Sequence, residues 1–195
     1  MKVVGLTGGI GSGKSMVLDF FASKGIPCYE SDHRARLLMQ ENPELISKIK
    51  AVFGEHLYKD QKLDRKALAE LVFSDPKKLE SLNAMVHPAV QKDFQLFLTQ
   101  QQGPYVVKEA AILFETGAAA LCDETILLTV PESVRIERVM ERDGISAEAV
   151  RARINNQWED EKKIPLADHV IENIDQKTTL QKIEQIHLAL IAKSE

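Results

Sequence analysis

The stretch GLTGGIGSGKSM, residues 5–16, decides the fold, because its glycines separate an apolar run from a helical pattern. Within it, residues 8–15 fit the pattern G-x-x-x-x-G-K-[ST] of a phosphate-binding loop. The apolar residues 2–8 predict a buried strand, and residues 14–25 predict a helix that stops at Gly25. The motif therefore stands between a strand and a helix, which is the context in which it binds phosphate.

The residue types of this loop suit a nucleoside triphosphate. Glycines let backbone N–H groups turn inward and let phosphate oxygens approach closely, and the start of the next helix adds a positive dipole. Lys14 supplies a point charge for the β- and γ-phosphates, and the Ser15 hydroxyl is placed to ligate Mg²⁺. A plain glycine-rich turn is the alternative, and the flanking strand and helix argue against it. The predicted nucleotide-binding residues are Gly8, Gly9, Gly11, Ser12, Gly13, Lys14, Ser15 and Met16.

Strand and helix patterns alternate along the rest of the chain. Further strands are predicted over residues 26–32, 104–115, 123–130 and 167–173. This alternation indicates an α/β fold of the P-loop NTPase type, with a parallel sheet in a three-layer α/β/α arrangement.

The helical patterns are unevenly distributed. Residues 33–102 are almost entirely helical, more than a crossover needs, so we expect them to form a subdomain over the carboxyl edge of the sheet. Asn42-Pro43, Ser74-Asp75-Pro76 and His87-Pro88 are the predicted boundaries within this block. Two more helices are predicted over residues 132–158, separated near Gly144, and a last one over residues 178–192.

Composition excludes several classes of protein. The 195 residues carry a net charge of −4, so no overall basic field attracts nucleic acid or an anionic membrane. Cys28 and Cys122 have no zinc-site spacing, which favours a reducing compartment. No signal peptide and no apolar run near the roughly 20 residues of a membrane span are apparent. We expect a cytoplasmic protein without a nucleic-acid, membrane or obligate protein partner.

Residues beyond the loop favour a small-molecule kinase. A GTPase would carry an N-K-x-D motif, and the chain has none. Phosphoryl transfer to an alcohol needs a carboxylate that orients the hydroxyl and accepts its proton. Asp32, at the end of the second predicted strand, is suited to that role, although it or Ser31 could equally be the N-cap of the next helix.

Arginines in the later helical region are candidates for contact with phosphate. Arg138 and Arg142 are four residues apart and so share one helix face, with Arg135 nearby. Such a face can close over ATP and spread the charge of the transferring group. A solvated basic stripe that pairs with Glu137 and Glu141 is the open alternative.

Several segments together resemble one family, the dephospho-CoA kinases, which phosphorylate the ribose 3′-hydroxyl of dephospho-coenzyme A with ATP. They fall in order across nearly the whole chain: GLTGGIGSGKS (5–15), SDHRAR (31–36), LNAMVHPAV (82–90), ILFETG (112–117), RVMERDGIS (138–146), RINNQ (153–157) and ADHVIEN (167–173). The chain departs from the family at Ser31, at Met16 in place of a common threonine, and at residues 111–113, where the family commonly has proline.

The resemblance implies substrates, site residues and domains. The substrates are ATP with Mg²⁺ and dephospho-CoA, and Asp32 is the base beside Lys14 and the lid arginines Arg138 and Arg142. The implied acceptor-binding residues are Asp32, Arg36, His87, Leu113, Phe114 and Glu115, and Asn173 belongs to the adenine pocket. The implied divisions are a nucleotide-binding core (1–32, 104–131 and 166–195), a helical acceptor subdomain (33–103) and a lid (132–165).

Some alternatives stay open. His87 could be a loop histidine before a helix-starting proline, Glu115 a helix cap, and Trp158 packing rather than a stacking platform. The alternative functions are a P-loop kinase for a nucleoside monophosphate or a sugar acid, and a nucleotide-dependent switch without transfer activity.

Overall fold

The computed structural model of the protein describes residues 1–193. The strands are Lys2–Gly8 (β1), Cys28–Glu30 (β2), Tyr58–Lys59 (β3), Lys62–Leu63 (β4), Tyr105–Glu109 (β5), Glu124–Thr129 (β6) and His169–Glu172 (β7). The α-helices are Lys14–Ser23 (α1), Ser31–Glu41 (α2), Pro43–Phe53 (α3), Arg65–Phe73 (α4), Pro76–Thr99 (α5), Glu132–Asp143 (α6), Ala147–Ile154 (α7), Asp160–Lys163 (α8) and Gln176–Ala192 (α9). Among these described residues no helix is long and apolar enough to span a bilayer.

The chain divides into two compact units, of which the first comprises residues 1–30 and the chain from Gln101 onward. Its sheet has the order β2-β5-β1-β6-β7, and every pair of neighbouring strands is parallel. Strands that are consecutive in the sequence, such as β1 and β2, are thus not neighbours in the sheet. Such an order arises when crossover connections join parallel strands. The predicted α/β class with a parallel sheet is confirmed.

The core of this unit lies between the sheet and two helices. Val17 and Phe21 of α1 and Ile183 and Leu190 of α9 pack with the apolar residues of β1, β5 and β6. Burial of such side chains is worth about 1.5–3 kcal/mol each, so this cluster fixes α1, and with it the end of the glycine-rich loop, against the sheet.

The second unit is Ser31–Gln100 and contains α2 to α5 with the hairpin β3–β4. Its own core includes Leu45, Ile49 and Leu68. Asn42 and Asp75 cap α3 and α5 through their side chains and each precedes a first-turn proline, so the boundaries predicted there are confirmed.

The helix boundary predicted at His87-Pro88 is wrong, because α5 runs unbroken from Pro76 to Thr99. Pro88 has no N–H to donate within the helix. Leu82 and Val86 before it and Val90 after it nevertheless belong to one apolar cluster of this unit. Packing of this face on both sides of Pro88 outweighs the lost hydrogen bond.

The hairpin β3–β4 was not expected in a block predicted to be helical. Its turn residues, Asp60 and Gln61, both have positive φ (48° and 63°), as a two-residue type I′ turn requires. The usual Asn-Gly signal is absent, so the sequence gives little warning. Gln40 of α2 holds the hairpin, since its side chain donates to the Gln61 carbonyl and accepts from Leu63 N–H.

Two predicted strands are too long. β2 ends at Glu30, and Ser31 and Asp32 are already the first residues of α2. β5 ends at Glu109, and residues 111–117 form consecutive turns instead of strand. The apolar residues Leu113 and Phe114 are buried in those turns. They are apolar because they are buried, as strand residues are, although their backbone is not a strand.

Candidate active site

The glycine-rich loop connects β1 to α1 and has a backbone that only glycine adopts easily. Gly11 has φ 79°, and a Cβ there would lie 2.8 Å from the Arg135 carbonyl oxygen. Gly13 has φ 91°, and a Cβ there would clash with the side-chain nitrogen of Asn173. Both positions are therefore closed to larger residues by conformation and by space.

Lys14 lies at the start of α1 with its side chain mostly buried. Its Nζ donates to the Gly8 carbonyl at 2.9 Å and lies 3.6 Å from Glu109 Oε1. The ammonium is thus held at the loop between a carbonyl and a carboxylate, where it can meet an anionic ligand. Lys14 is where the sequence predicted a phosphate-binding cation.

Glu109 is a residue that the sequence analysis missed. It is the last residue of β5, it is buried, and it pairs in the sheet with Leu6 of the neighbouring strand β1. The available signal was a glutamate within the apolar run 105–114, since carboxylates are seldom buried unless they have a partner. Its proximity to Lys14 makes it part of the site.

Ser15 is exposed in the first turn of α1, whereas Met16 is partly buried and packs on the core. Ser12 is buried, and its N–H donates to the Gly9 carbonyl at 3.0 Å. Within residues 1–193 no group of three or more His, Cys, Asp or Glu side chains could hold a metal ion. Mg²⁺ in nucleotide sites usually takes one or two protein oxygens, with phosphate oxygens and water supplying the rest. An exposed Ser15 hydroxyl fits that requirement.

Asn173 follows β7 and is buried beneath the loop. Its Nδ2 donates to the Ser12 carbonyl at 2.7 Å, and its Oδ1 accepts from the Thr179 hydroxyl at 2.9 Å. The side-chain groups of Asn173 are therefore engaged by the protein. Ile174, in the turn that follows Asn173, is exposed.

The three arginines of α6 have different environments. Arg135 is buried and lies 3.6 Å from Asp160. Arg138 donates from Nη2 to the Asn173 carbonyl at 3.0 Å. Arg142 is exposed and forms two hydrogen bonds to Asp143, which raise the pKa of its guanidinium. In the open alternative the arginines pair with Glu137 and Glu141, whereas the partner of Arg142 in the structure is Asp143.

Glu115 forms a second buried ion pair, with Lys163. Its Oε1 accepts from Trp158 N–H at 3.0 Å and lies 3.1 Å from Nζ of Lys163, a side chain with no exposure. Trp158 itself is 42% exposed, so it is not a core residue. Glu115 is thus neither a helix cap nor free: it connects the turns after β5 to Trp158, just before α8, and to Lys163, the last residue of α8.

The ion pairs Arg135–Asp160 and Glu115–Lys163 are linked through α8, because Asp160 and Lys163 both belong to that short helix. Burial raises the pKa of Asp160, while the positive charges of Arg135 and Lys163 act in the opposite direction. Gln157 lies between α7 and α8 in the sequence. Its side-chain oxygen accepts from Ile10 N–H at 2.9 Å and so contacts the glycine-rich loop directly. Polar contacts therefore connect segment 157–163 to the glycine-rich loop and to Glu115.

We expect Lys163→Met to lower the free energy of unfolding by about 3–5 kcal/mol, the usual cost of breaking a buried ion pair. The Glu115 carboxylate, whose side chain is 11% exposed, would lose its compensating charge. Urea denaturation of the variant tests this. The double variant Lys163→Met/Glu115→Gln should recover part of the loss, and a single variant as stable as the parent would contradict it.

The remaining predicted residues lie in the second unit. Asp32 and Arg36 are both exposed on α2, one turn apart. His87 is exposed in the middle of α5, and partial desolvation lowers its pKa. Arg34 and Asp93 join α2 to α5 through two hydrogen bonds of 2.8 and 2.6 Å. This ion pair was not anticipated, and it fixes the helix that carries Asp32 within its unit.

A parallel sheet whose first strand leads into a lysine-bearing phosphate loop defines an α/β protein of the P-loop nucleotide-binding class. Comparison with known proteins narrows this class. Residues 2–179 match the sequence profile of the family described as dephospho-CoA kinase. The chain belongs to the dephospho-CoA kinase family.

Individual relatives agree with that assignment. The dephospho-CoA kinase of Porphyromonas gingivalis is 40% identical over 174 residues, which are 89% of this chain and 86% of that protein. A crystal structure from Thermus thermophilus aligns with a TM-score of 0.84 and 35% identity, covering 98% of this chain and 97% of the other. The dephospho-CoA kinase from Campylobacter jejuni aligns with a TM-score of 0.71 and 27% identity over the full length of both chains.

Proposed function

We propose that this protein transfers the γ-phosphoryl group of ATP to the ribose 3′-hydroxyl of dephospho-coenzyme A, giving coenzyme A and ADP. The observation that carries the proposal is the match of residues 2–179 to one kinase family, with Lys14 in place at the phosphate loop. The alternative acceptors, a nucleoside monophosphate or a sugar acid, are not favoured by that match. The reaction belongs in the cytoplasm, which supplies ATP.

ATP would lie with its phosphates on residues 8–15, where backbone N–H groups and the start of α1 favour negative charge. Lys14 would turn from the Gly8 carbonyl to the β- and γ-phosphates. The Ser15 hydroxyl would hold Mg²⁺, which neutralises the phosphate oxygens when bound. Glu109 would then keep the ammonium of Lys14 oriented, because its carboxylate is already 3.6 Å away.

Residues 33–103 are the proposed acceptor subdomain for dephospho-CoA. Asp32 would orient the 3′-hydroxyl and accept its proton as the oxygen attacks the γ-phosphorus. A new O–P bond forms, the bond to the β–γ bridging oxygen breaks, and ADP leaves. Arg36, His87, Leu113, Phe114 and Glu115 are the proposed contacts for the rest of the acceptor.

Arg138 and Arg142 would act from the lid, residues 132–165. Arg142 is the better candidate for the transferring group, because its side chain is 60% exposed and its partner Asp143 is a surface residue. Arg138 is already bonded to the Asn173 carbonyl, so it supports the nucleotide side of the site.

An ADP-release assay with dephospho-CoA, AMP, GMP and gluconate as acceptors tests the proposal. We expect turnover with dephospho-CoA and at most background rates with the other three. Turnover with gluconate or a nucleoside monophosphate would support the alternative kinases. ATP binding without transfer to any acceptor would support a nucleotide switch.

We expect Arg142→Ala to lower kcat about 10²-fold and to change KM for ATP far less. The reason is that a mobile cation meets most of the charge in the transition state, where one lost donor costs about 10²–10³ in rate. Steady-state kinetics measures both constants. Arg151→Ala is the matched control, since Arg151 is an exposed arginine that faces Glu132. A rise in KM alone would assign Arg142 to ground-state binding.

A further inference from the structure

Asn173 occupies a junction between four parts of the first unit. Its N–H donates to the Thr129 carbonyl of β6 at 2.8 Å, and its own carbonyl accepts from Arg138 of α6. Its side chain donates to Ser12 in the glycine-rich loop and accepts from Thr179 of α9. The residue is only 3% exposed. Every polar group of Asn173 therefore has a partner, and none of those partners is solvent.

The orientation of the Asn173 amide is determined by chemistry. The Ser12 carbonyl oxygen can only accept a hydrogen bond, so the atom that faces it at 2.7 Å must be the donating nitrogen. The other end must then be the oxygen, which suits the Thr179 hydroxyl at 2.9 Å. Thr179 is completely buried, so bulk water does not compete with its hydroxyl for the Asn173 oxygen.

The hydrogen bond to Ser12 also fixes the next peptide N–H. A trans peptide unit is planar, and its C=O and N–H point in opposite directions. With the Ser12 carbonyl held toward Asn173, the N–H of Gly13 must point away from Asn173. Gly13 has positive φ and lies so close to Asn173 that a Cβ would clash with Nδ2. Glycine at position 13 and a donor at position 173 therefore both favour this peptide orientation.

We propose that Asn173 is a positioning residue of the phosphate loop: its amide turns the Ser12–Gly13 peptide so that the Gly13 N–H faces a bound phosphate. It acts through the backbone of the loop and does not touch the adenine with its side chain. This role rests on the proposed function only in that the loop binds a nucleotide phosphate; it is independent of which acceptor the enzyme uses.

The test measures the binding of ATP and of inorganic tripolyphosphate by titration calorimetry. Both ligands carry three phosphates, and only ATP carries a nucleoside. Asn173→Asp keeps the size of the side chain and its acceptor for Thr179 but cannot donate to the Ser12 carbonyl when ionised. We expect both ligands to bind the variant about 10- to 100-fold more weakly. This is the usual cost of losing a hydrogen bond to a charged group, here the bond from the Gly13 N–H to a phosphate. Adenosine, which has no phosphate, should bind the variant and the parent with equal affinity.

Two further variants keep the test decisive. Thr179→Val removes the hydroxyl that orients the amide but leaves the donor in place, so we expect a loss of only about 3-fold for the same two ligands. Gln185→Glu makes the same amide-to-carboxylate change at an exposed position of α9 and should leave binding unchanged. Thermal melting of each variant identifies a protein that has not folded, and in that case the result for Thr179→Val decides.

Specific results would overturn the proposal. Unchanged tripolyphosphate affinity in folded Asn173→Asp would do so, as would a loss confined to ATP and adenosine, which would assign the side chain to the adenine. If Asn173→Asp does not fold, unchanged tripolyphosphate affinity in Thr179→Val would also overturn it. Failure of the proposed acceptor would leave these binding results intact, because none of the three ligands involves dephospho-CoA.

Discussion

Replacing Lys14 by methionine should lower kcat/KM for ATP about 10³-fold or more. Methionine keeps an unbranched side chain in the space that the lysine occupies but removes the charge at the loop. One donor aimed at developing charge is worth about 10²–10³ in rate, and an ammonium that meets the phosphates in both ground and transition state should reach or exceed the upper end. Steady-state kinetics with saturating dephospho-CoA and varied Mg²⁺-ATP measures the loss.

Lys24→Met is the matched control for Lys14→Met. Lys24 stands just after the other end of α1 and forms an exposed ion pair with Glu184 at 2.9 Å. Exposed pairs contribute about 0–1 kcal/mol, so the control should retain normal turnover. If Lys14→Met turned over at nearly the parental rate, the glycine-rich loop would not be the site of the transferred phosphoryl group.

We expect Asp32→Asn to lower kcat by about 10²- to 10⁴-fold, the usual contribution of a general base. At 1.36 kcal/mol per factor of ten, this is roughly 3–5 kcal/mol of barrier. Asparagine keeps the size and polarity of the side chain but can neither accept the hydroxyl proton nor orient it by charge. Quenched-flow or steady-state measurement of coenzyme A formation reports the loss directly.

The fold of Asp32→Asn should change little. Asp32 is exposed in the first turn of α2, where a negative charge contributes about 0.3–1 kcal/mol through the helix dipole. ATP affinity should match that of the parent, and Asp19→Asn, an exposed aspartate on α1, controls for the lost charge. A variant that melts much earlier and yet turns over normally would make Asp32 a structural residue of α2.

The phosphate loop and the class of fold could be predicted because both are local signals. A strand, a loop pattern and a helix within residues 2–25 specify the cradle, and alternating strands and helices specify a parallel sheet. The helix starts at Pro43 and Pro76 were predictable for the same reason, since a capping side chain and a proline stand side by side in the sequence.

What could not be predicted depends on contacts between residues far apart in the chain. Glu109 becomes part of the site only because β5 pairs with β1, and nothing in residues 104–115 distinguishes the last strand residue from the turns that follow. Lys163 similarly gives no sign in the sequence that it is buried against Glu115. Pro88 predicted a helix boundary because a proline usually ends a helix, whereas apolar packing on both sides of it accompanies a continuous α5.

The strand order also has a consequence for how the protein is made. β1 leaves the ribosome well before β5 and β6, which are its neighbours in the sheet. At about 5–20 residues per second, residues 9–104 take roughly 5 to 20 s to synthesise. During that time the apolar residues Val3, Val4 and Leu6 have no sheet to join, whereas Ser31–Gln100 already has a core of its own. We therefore expect residues 31–100 to fold before β1 can join its sheet, and we expect β1 to stay accessible meanwhile to a chaperone that binds short apolar segments.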